Sequence, residues 1–148
     1  MPAAVVQRES GGQNILQEGM PPGAGCGVGL CQITYGVNWA SPSSPCFPGF
    51  GDLFNPLINL RVAATQFLQP ALEQFPYNHI AAFAAYNLGI SAVQQEIAEG
   101  LDPDARTAGS NYGYDVFTNW INFTAASCGY TADWSMLIRF TPLPAVYA

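Results

Sequence analysis

The apolar run from Ala3 to Val6 passes into Gln7, Arg8, Glu9 and Ser10 and stops at Gly11-Gly12. Residues 2 to 10 therefore predict a helix that starts with Pro2, a residue the first turn tolerates, and ends at the glycine pair. From 11 to 52 turn residues dominate, with Pro21-Pro22-Gly23 and Ser41-Pro42-Ser43-Ser44-Pro45 as the plainest breakers. Only "GLCQIT", 29 to 34, predicts a short extended or helical insert. At Asn55 the pattern turns helical: Asn55 can cap, Pro56 fits the first turn, and Leu57, Leu60, Ala64, Phe67 and Leu68 recur at three- and four-residue spacing. Pro70 is expected to kink or break this helix. A second helix fits "NHIAAFAAYN" at 78 to 87, so uniformly small and apolar that burial on all sides is expected. A third spans 90 to 99, ends at Gly100 and leads to the turn Asp102-Pro103. A fourth covers about 112 to 126 with Val116, Trp120 and Phe123 on one side, and a shorter one about 131 to 139. No internal repeat is visible, and strand patterning allows no more than a small ribbon in the long loop. The class is mainly α.

Length and composition narrow this further. At 148 residues and 49% hydrophobic content, the chain suits one domain over 1–148 with one core. Only 9% of residues are charged and none is lysine, while 13% are aromatic, so Asn, Gln, Ser, Thr and Gly must supply the polar surface. Such a surface suits a neutral polar ligand such as a glycan; it is equally what a GC-rich coding sequence would give. A net charge of −6 and a pI near 4.3 argue against nucleic acid, whose affinity comes largely from Lys and Arg. The N-terminal apolar run is too short for a signal-peptide core, and no stretch is long and uncharged enough to span a bilayer.

Cys26, Cys31, Cys46 and Cys128 form an even set open to three disulfide connectivities, or to free thiols in a reducing compartment. Three of them fall between 19 and 51, where a cross-link would do most to order a loop. A zinc site is disfavoured, since there is no CxxC pair and the sole histidine, His79, lies far away in a helical segment as a surface or capping residue. No metal or cofactor is expected.

Glu9 carries the sharpest chemical suggestion. A carboxyl at the end of an apolar helix is partly desolvated and sits at the negative end of the helix dipole, and both effects favour the neutral form. A carboxylic acid still protonated near neutrality can donate to a departing oxygen, as glycoside cleavage requires. Taken alone, Glu9 could as well be a solvated helix-end residue. Its companions change that: "ESGG" at 9 to 12, "GVGLCQIT" at 27 to 34, "NPLINLRVAATQFL" at 55 to 68, "AAFAAYNLG" at 81 to 89 and "NYGYDV" at 111 to 116 occur in one order. The series resembles the soluble lytic transglycosylase and goose-type lysozyme superfamily, whose signature runs ES, GLMQI, NP..N, AYN.G and NYV..V. It covers about residues 4 to 120.

The resemblance implies a lysozyme-like α-helical domain with a long loop region or small β-ribbon after the first helix. It places the catalytic acid on Glu9, with Ser10 orienting the substrate or the carboxyl. Gln32 then lines the sugar groove, Gly29 and Leu30 shape its turn, Tyr86 and Asn87 face the same cleft, and Tyr112 helps position the glutamate or the reacting sugar. The helices at 55 to 68 and 78 to 85 read as scaffold. Trp39, in the long loop, is a candidate for sugar stacking; Trp120 and Trp134 read as core. The chain departs from the signature at Cys31, where the family has methionine, at Gly113, where it has valine, and in the proline-rich insertion at 35 to 52. Only eight residues precede Glu9, so packing ahead of this helix is missing or supplied by a neighbouring domain.

The implied substrate is peptidoglycan, cut at the β-1,4 bond between N-acetylmuramic acid and N-acetylglucosamine. A lytic reaction closes a 1,6-anhydro ring and needs no second carboxylate. A lysozyme-type hydrolysis normally uses one to hold water, for which Glu18 and Asp52 are the candidates. A non-catalytic glycan-binding module is the rival from another class; a peptidase is disfavoured by a lone histidine far from every cysteine. The implied partners are glycan strands, together with other domains of a larger lysin or tail protein. Delivery would be by phage, virion or an exported parent chain.

Overall fold

The computed structural model describes residues 1–17, 27–34 and 53–129. Glu18, Asp52, Cys26, Cys46, Trp39, Trp134, the insertion at 35 to 52 and the expected helix at 131 to 139 lie outside the described residues. Cys31 and Cys128 are free thiols.

Helix α1 (Pro2–Ser10) has Pro2 in its first turn and buries Ala4 and Val5; Gly11, left-handed at φ 60, ends it. A small antiparallel sheet follows, ordered β1 (Ile15–Leu16), β2 (Gly27–Gly29) and β3 (Ile33–Thr34). Ile15 pairs with Gly29 and Leu16 with Val28 on one side of β2, while Gly27 pairs with Thr34 and Val28 with Ile33 on the other. This is the expected ribbon, and "GLCQIT" forms its second hairpin.

Helix α2 (Pro56–Val62) starts as its sequence predicts: Asn55 Oδ1 accepts from the backbone N–H of Leu57 at 3.0 Å and of Ile58 at 3.4 Å. Pro70 does not break the helix. The chain passes through a π-helical segment, Ala63–Leu68, into α3 (Gln69–Gln74), with Pro70 in the first turn of α3. The Gln69 N–H reaches the Ala64 carbonyl five residues back. The ladder is thus already respaced before the residue that lacks an N–H, which is how a proline can be accommodated inside a helical run. The apolar stripe is also not wholly inward, since Leu57 is 76% exposed while the polar Asn59 is fully buried.

Helix α4 (His79–Leu88) is capped by Asn78, whose Oδ1 accepts from the Ala81 N–H at 3.0 Å. Five consecutive residues, Ala81 to Ala85, are buried, as the small apolar composition predicts. α4 lies against α3, α5 (Ile90–Ala98) and α6 (Tyr112–Ser127). Gly89 separates α4 from α5, and Gly100 follows the end of α5. His79 is not the cap. Its ring tilts against Trp120 at 5.2 Å and lies 6.3 Å from Phe117, within an aromatic cluster. Along α6, Val116 is buried and Trp120 packs on the core, but Phe123 is 41% exposed. α6 receives its cap from a distance: the buried Asp104 accepts from the N–H groups of Gly113 at 2.8 Å and Tyr114 at 2.9 Å, and from Thr107 Oγ1 at 2.7 Å. Among the described residues no helix is long and apolar enough to cross a membrane.

α4 and α6 approach closely at Gly113. A Cβ built there would meet the Ile80 carbonyl oxygen at 2.5 Å and the Ala84 nitrogen at 3.1 Å. The departure from the family's valine therefore has a steric reason in this chain. Glycine to alanine inside a helix ordinarily stabilises by about 1 kcal/mol. Gly113→Ala is instead expected to destabilise by about 1–3 kcal/mol through overpacking, seen as a lowered thermal midpoint by circular dichroism. A raised midpoint would contradict the close packing.

Candidate functional site

The site is built around the hairpin turn from Gly29 to Gln32. One backbone bond closes the turn, from the Gln32 N–H to the Gly29 carbonyl at 3.4 Å, and side chains from three helices supply partners for Leu30 and Cys31. Asn59 of α2 accepts from the Cys31 N–H at 2.8 Å and donates through Nδ2 to the carbonyls of Val28 at 2.8 Å and Leu53 at 3.0 Å. Gly29, at φ 76, lies so close to Asn59 that an added Cβ would fall 2.3 Å from Nδ2. Ser10 of α1 donates to the Leu30 carbonyl at 2.7 Å, with the Val6 carbonyl 3.2 Å away. The Tyr86 hydroxyl of α4 donates to the Cys31 carbonyl at 2.8 Å. Gln32, itself at φ 46, donates through Nε2 to the carbonyls of Gly29 at 2.7 Å and Ile15 at 3.1 Å.

This turn forms part of a cleft of about 490 Å³, within the range of small-molecule sites. Arg8 and Glu9 contribute from α1, Gln17, Gln32, Ile33 and Thr34 from the ribbon side, Phe67 from the π-helical segment, Tyr86 and Asn87 from α4, and Ala108 and Tyr112 from the approach to α6. A second hollow, beside Pro2, Leu68 and Leu72, is almost wholly apolar. Its carboxylate, Glu73, accepts from Gln69.

At the cleft wall the Tyr112 hydroxyl donates to Glu9 Oε1. The Tyr86 and Tyr112 rings lie parallel, 2° apart in tilt and 6.5 Å between centroids, and Phe67 tilts against Tyr86 at 5.7 Å. Arg8 reaches toward α6: its guanidinium sits 5.4 Å from the centre of the Tyr112 ring, donates to the Ala108 carbonyl at 3.1 Å and pairs with Asp115 at 3.3 Å. Asn87 accepts through Oδ1 from the Ala108 N–H at 3.0 Å, which holds the residue whose carbonyl Arg8 binds.

The electrostatics follow from burial. Desolvation holds the Glu9 carboxyl above the ordinary glutamate range, while the Tyr112 hydrogen bond and the Arg8 charge pull it down. Burial first, and after it the neighbouring Cys31 and Glu9, raises the Tyr86 phenol; burial and the Glu9 charge raise that of Tyr112. Both therefore stay protonated and able to donate. The Cys31 thiol is pushed up to about 12, first by burial and then by Glu9, so it remains uncharged. A carboxyl so placed keeps its proton to higher pH than an ordinary glutamate and can release it to a base or leaving group in the cleft.

Of the residues named from sequence, the structure brings Glu9, Gln32, Tyr86, Asn87 and Tyr112 to one cleft. Ser10 does not line it, because its hydroxyl is committed to backbone carbonyls and orients α1 instead. Glu18 and Asp52 lie outside the described residues. Arg8, Gln17 and Asn59 were missed. Asn59 stands within the signature's NP..N stretch, so its position was visible, but helical periodicity marks only apolar residues as inward-facing.

The raised titration of Glu9 links to stability. Its folded-state midpoint lies above the ordinary 4.5, so stability falls as pH climbs from that value through the folded midpoint. Glu9→Gln keeps an acceptor for Tyr112 and carries no charge, so it is expected to raise the thermal midpoint at pH 7.5. Well below pH 4.5 that advantage disappears, since Glu9 is then neutral in both states. Melting curves at the two extremes check this; a variant less stable than the parent at pH 7.5 would contradict it.

A family model described as Transglycosylase SLT domain matches residues 1–108, a stretch that holds Glu9, Gln32, Tyr86 and Asn87 and stops short of Tyr112. No curated protein and no solved structure matches the chain. The matched stretch covers 108 of the 148 residues and contains α1, the ribbon and α2 to α5. The chain accordingly belongs to the transglycosylase SLT domain family, whose activity is the lytic transglycosylase type of peptidoglycan degradation.

Proposed function

We propose that this protein cleaves the β-1,4 bond between N-acetylmuramic acid and N-acetylglucosamine by the lytic route, with Glu9 as both acid and base. The observation that carries the reading is that Glu9 is the sole carboxylate among the described residues lining the cleft, and that burial favours its protonated form. Glu9 gives its proton to the glycosidic oxygen as the bond to the muramic C1 breaks. The cationic sugar is stabilised by its own acetamido group or by dipoles of the site. The Glu9 carboxylate then takes the proton of the muramic C6 hydroxyl, whose oxygen closes on C1. The carboxyl is regenerated, no water is consumed, and one carboxylate suffices.

In this reading Tyr112 orients the Glu9 carboxyl, while Gln32 offers the sugars its amide oxygen and Asn87 its amide nitrogen, the other amide atom of each being held by backbone. Tyr86 serves through the turn it holds. The low-charge cleft suits binding by stacking and hydrogen bonds to a neutral glycan backbone.

The test is mass spectrometry of muropeptides released from purified peptidoglycan. The expected products carry 1,6-anhydro ends, one water lighter than hydrolysis products, and Glu9→Gln lowers their release by about a thousandfold or more, given the 10²–10⁴ typical of acid–base catalysis at each of two steps. Reducing ends that vanish in the variant would instead mean a lysozyme-type hydrolysis and would direct attention to Glu18 and Asp52. Release by neither protein would leave a glycan-binding module.

A further inference from the structure

Arg8 is set apart in this chain. It follows Gln7 and precedes Glu9 on α1, yet its side chain makes no partner on its own helix. It spans to the segment around α6, where three different groups receive it: the Ala108 carbonyl, the Asp115 carboxylate and the face of the Tyr112 ring. The last is within the ~6 Å at which a ring face attracts a cation. A planar guanidinium meets a carbonyl and a carboxylate through a rigid fork of donors while its flat face lies on a ring, an arrangement the point charge of an ammonium does not hold in one fixed geometry. Tyr112 is the residue whose hydroxyl donates to Glu9, so Arg8 grips the ring whose far end touches the neighbouring residue.

We propose that Arg8 is a positioning residue which, anchored by Asp115 and Ala108, fixes the Tyr112 hydroxyl on Glu9 and places a compensated positive charge beside that carboxyl. This rests on the reading of Glu9 as the acid. Asp115 is the controlling partner, because it neutralises the guanidinium. Without Asp115 more of the Arg8 charge acts on Glu9; without Arg8 none does. Among the described residues the other titratable groups around Glu9 are Cys31 in the turn, Tyr86 on α4 and Tyr112 on α6, and all three are held uncharged at neutral pH by burial. The Arg8 and Asp115 pair is therefore the charge that can set the acid.

The two single variants separate this role from simple packing, since they should move Glu9 in opposite directions. Arg8→Gln removes the positive charge and is expected to raise the Glu9 midpoint and the basic limb of the pH–activity profile. Asp115→Asn exposes Glu9 to uncompensated positive charge and is expected to lower both. Arg8→Lys keeps the charge, so the midpoint stays near that of the parent, but the lost fork lowers kcat/KM by roughly tenfold to a hundredfold through misplacement of Tyr112. The Glu9 midpoint is read by ¹³C NMR of its side-chain carboxyl in the full chain, and the pH profile on purified peptidoglycan. Asp115 is 44% exposed in its side chain, so Asp115→Asn folds even if Arg8→Gln does not, and its sign alone then decides. Shifts in the same direction, or no shift, overturn the proposal. A parent protein without activity, or an active Glu9→Gln, overturns instead the reading of Glu9 as the acid, while the NMR shifts still decide the Arg8 arrangement.

Discussion

The rest of the site depends on how the turn from Gly29 to Gln32 is held. It is short, buried at Cys31 and surrounded by helices, so each of its amide groups must find a partner or be stranded away from water at roughly 1–3 kcal/mol apiece. Asn59 serves three backbone groups at once, and Ser10 and Tyr86 each serve one more. In meeting that need the three helices are drawn to one point. The last turn of α1, which bears Glu9, is set against Leu30; the end of α4, which bears Tyr86 and Asn87, is set against Cys31. The cleft is thus a by-product of satisfying a turn. Gly29 is required for the same reason, as any side chain there would displace Asn59.

A second constraint opposes the first. The packing that satisfies the turn also strips water from Glu9, and a desolvated carboxylate is unfavourable. The structure offsets this in part, with one hydroxyl from Tyr112 and one positive charge from Arg8, but leaves burial as the larger effect. A carboxyl in that balance is a serviceable proton donor and recovers its proton readily. If Glu9 is the acid, as proposed, it is also a place where stability is sacrificed for chemistry, which is common at functional sites. The proposed lytic route requires little more of the protein than such a group, correctly aimed.

Much of this was legible in the sequence where the signal is local. Gly11 ended α1, Asn55 capped its helix, and the alanine run of α4 was buried as its composition implied. The ordered motifs located Glu9, Gln32, Tyr86, Asn87 and Tyr112 in one cleft. What escaped were features fixed by contacts between distant residues. Periodicity treats Asn59 as an outward polar residue and Leu57 as an inward apolar one; tertiary hydrogen bonds bury Asn59, and Leu57 is exposed. Pro70 signals a break only if the helix before it keeps regular spacing, and the π-helical segment does not. Ser10 reads as a cleft residue from its place beside Glu9, yet its hydroxyl satisfies the turn. His79 reads as a surface or capping residue, yet Asn78 is the cap and the His79 ring packs with Phe117 and Trp120, a contact between distant residues. Asp104, capping α6 from nine residues before Gly113, leaves no signature of its own.

The central claim is that this packing keeps a proton on Glu9 beyond the pH at which an ordinary glutamate has lost it. The most direct measurement is the ¹³C NMR titration of the Glu9 carboxyl in the parent protein, assigned by comparison with Glu9→Gln. The account predicts a midpoint clearly above 4.5, the ordinary value for glutamate. A midpoint at or below 4.5 would mean that Tyr112 and Arg8 outweigh burial, and would contradict the account.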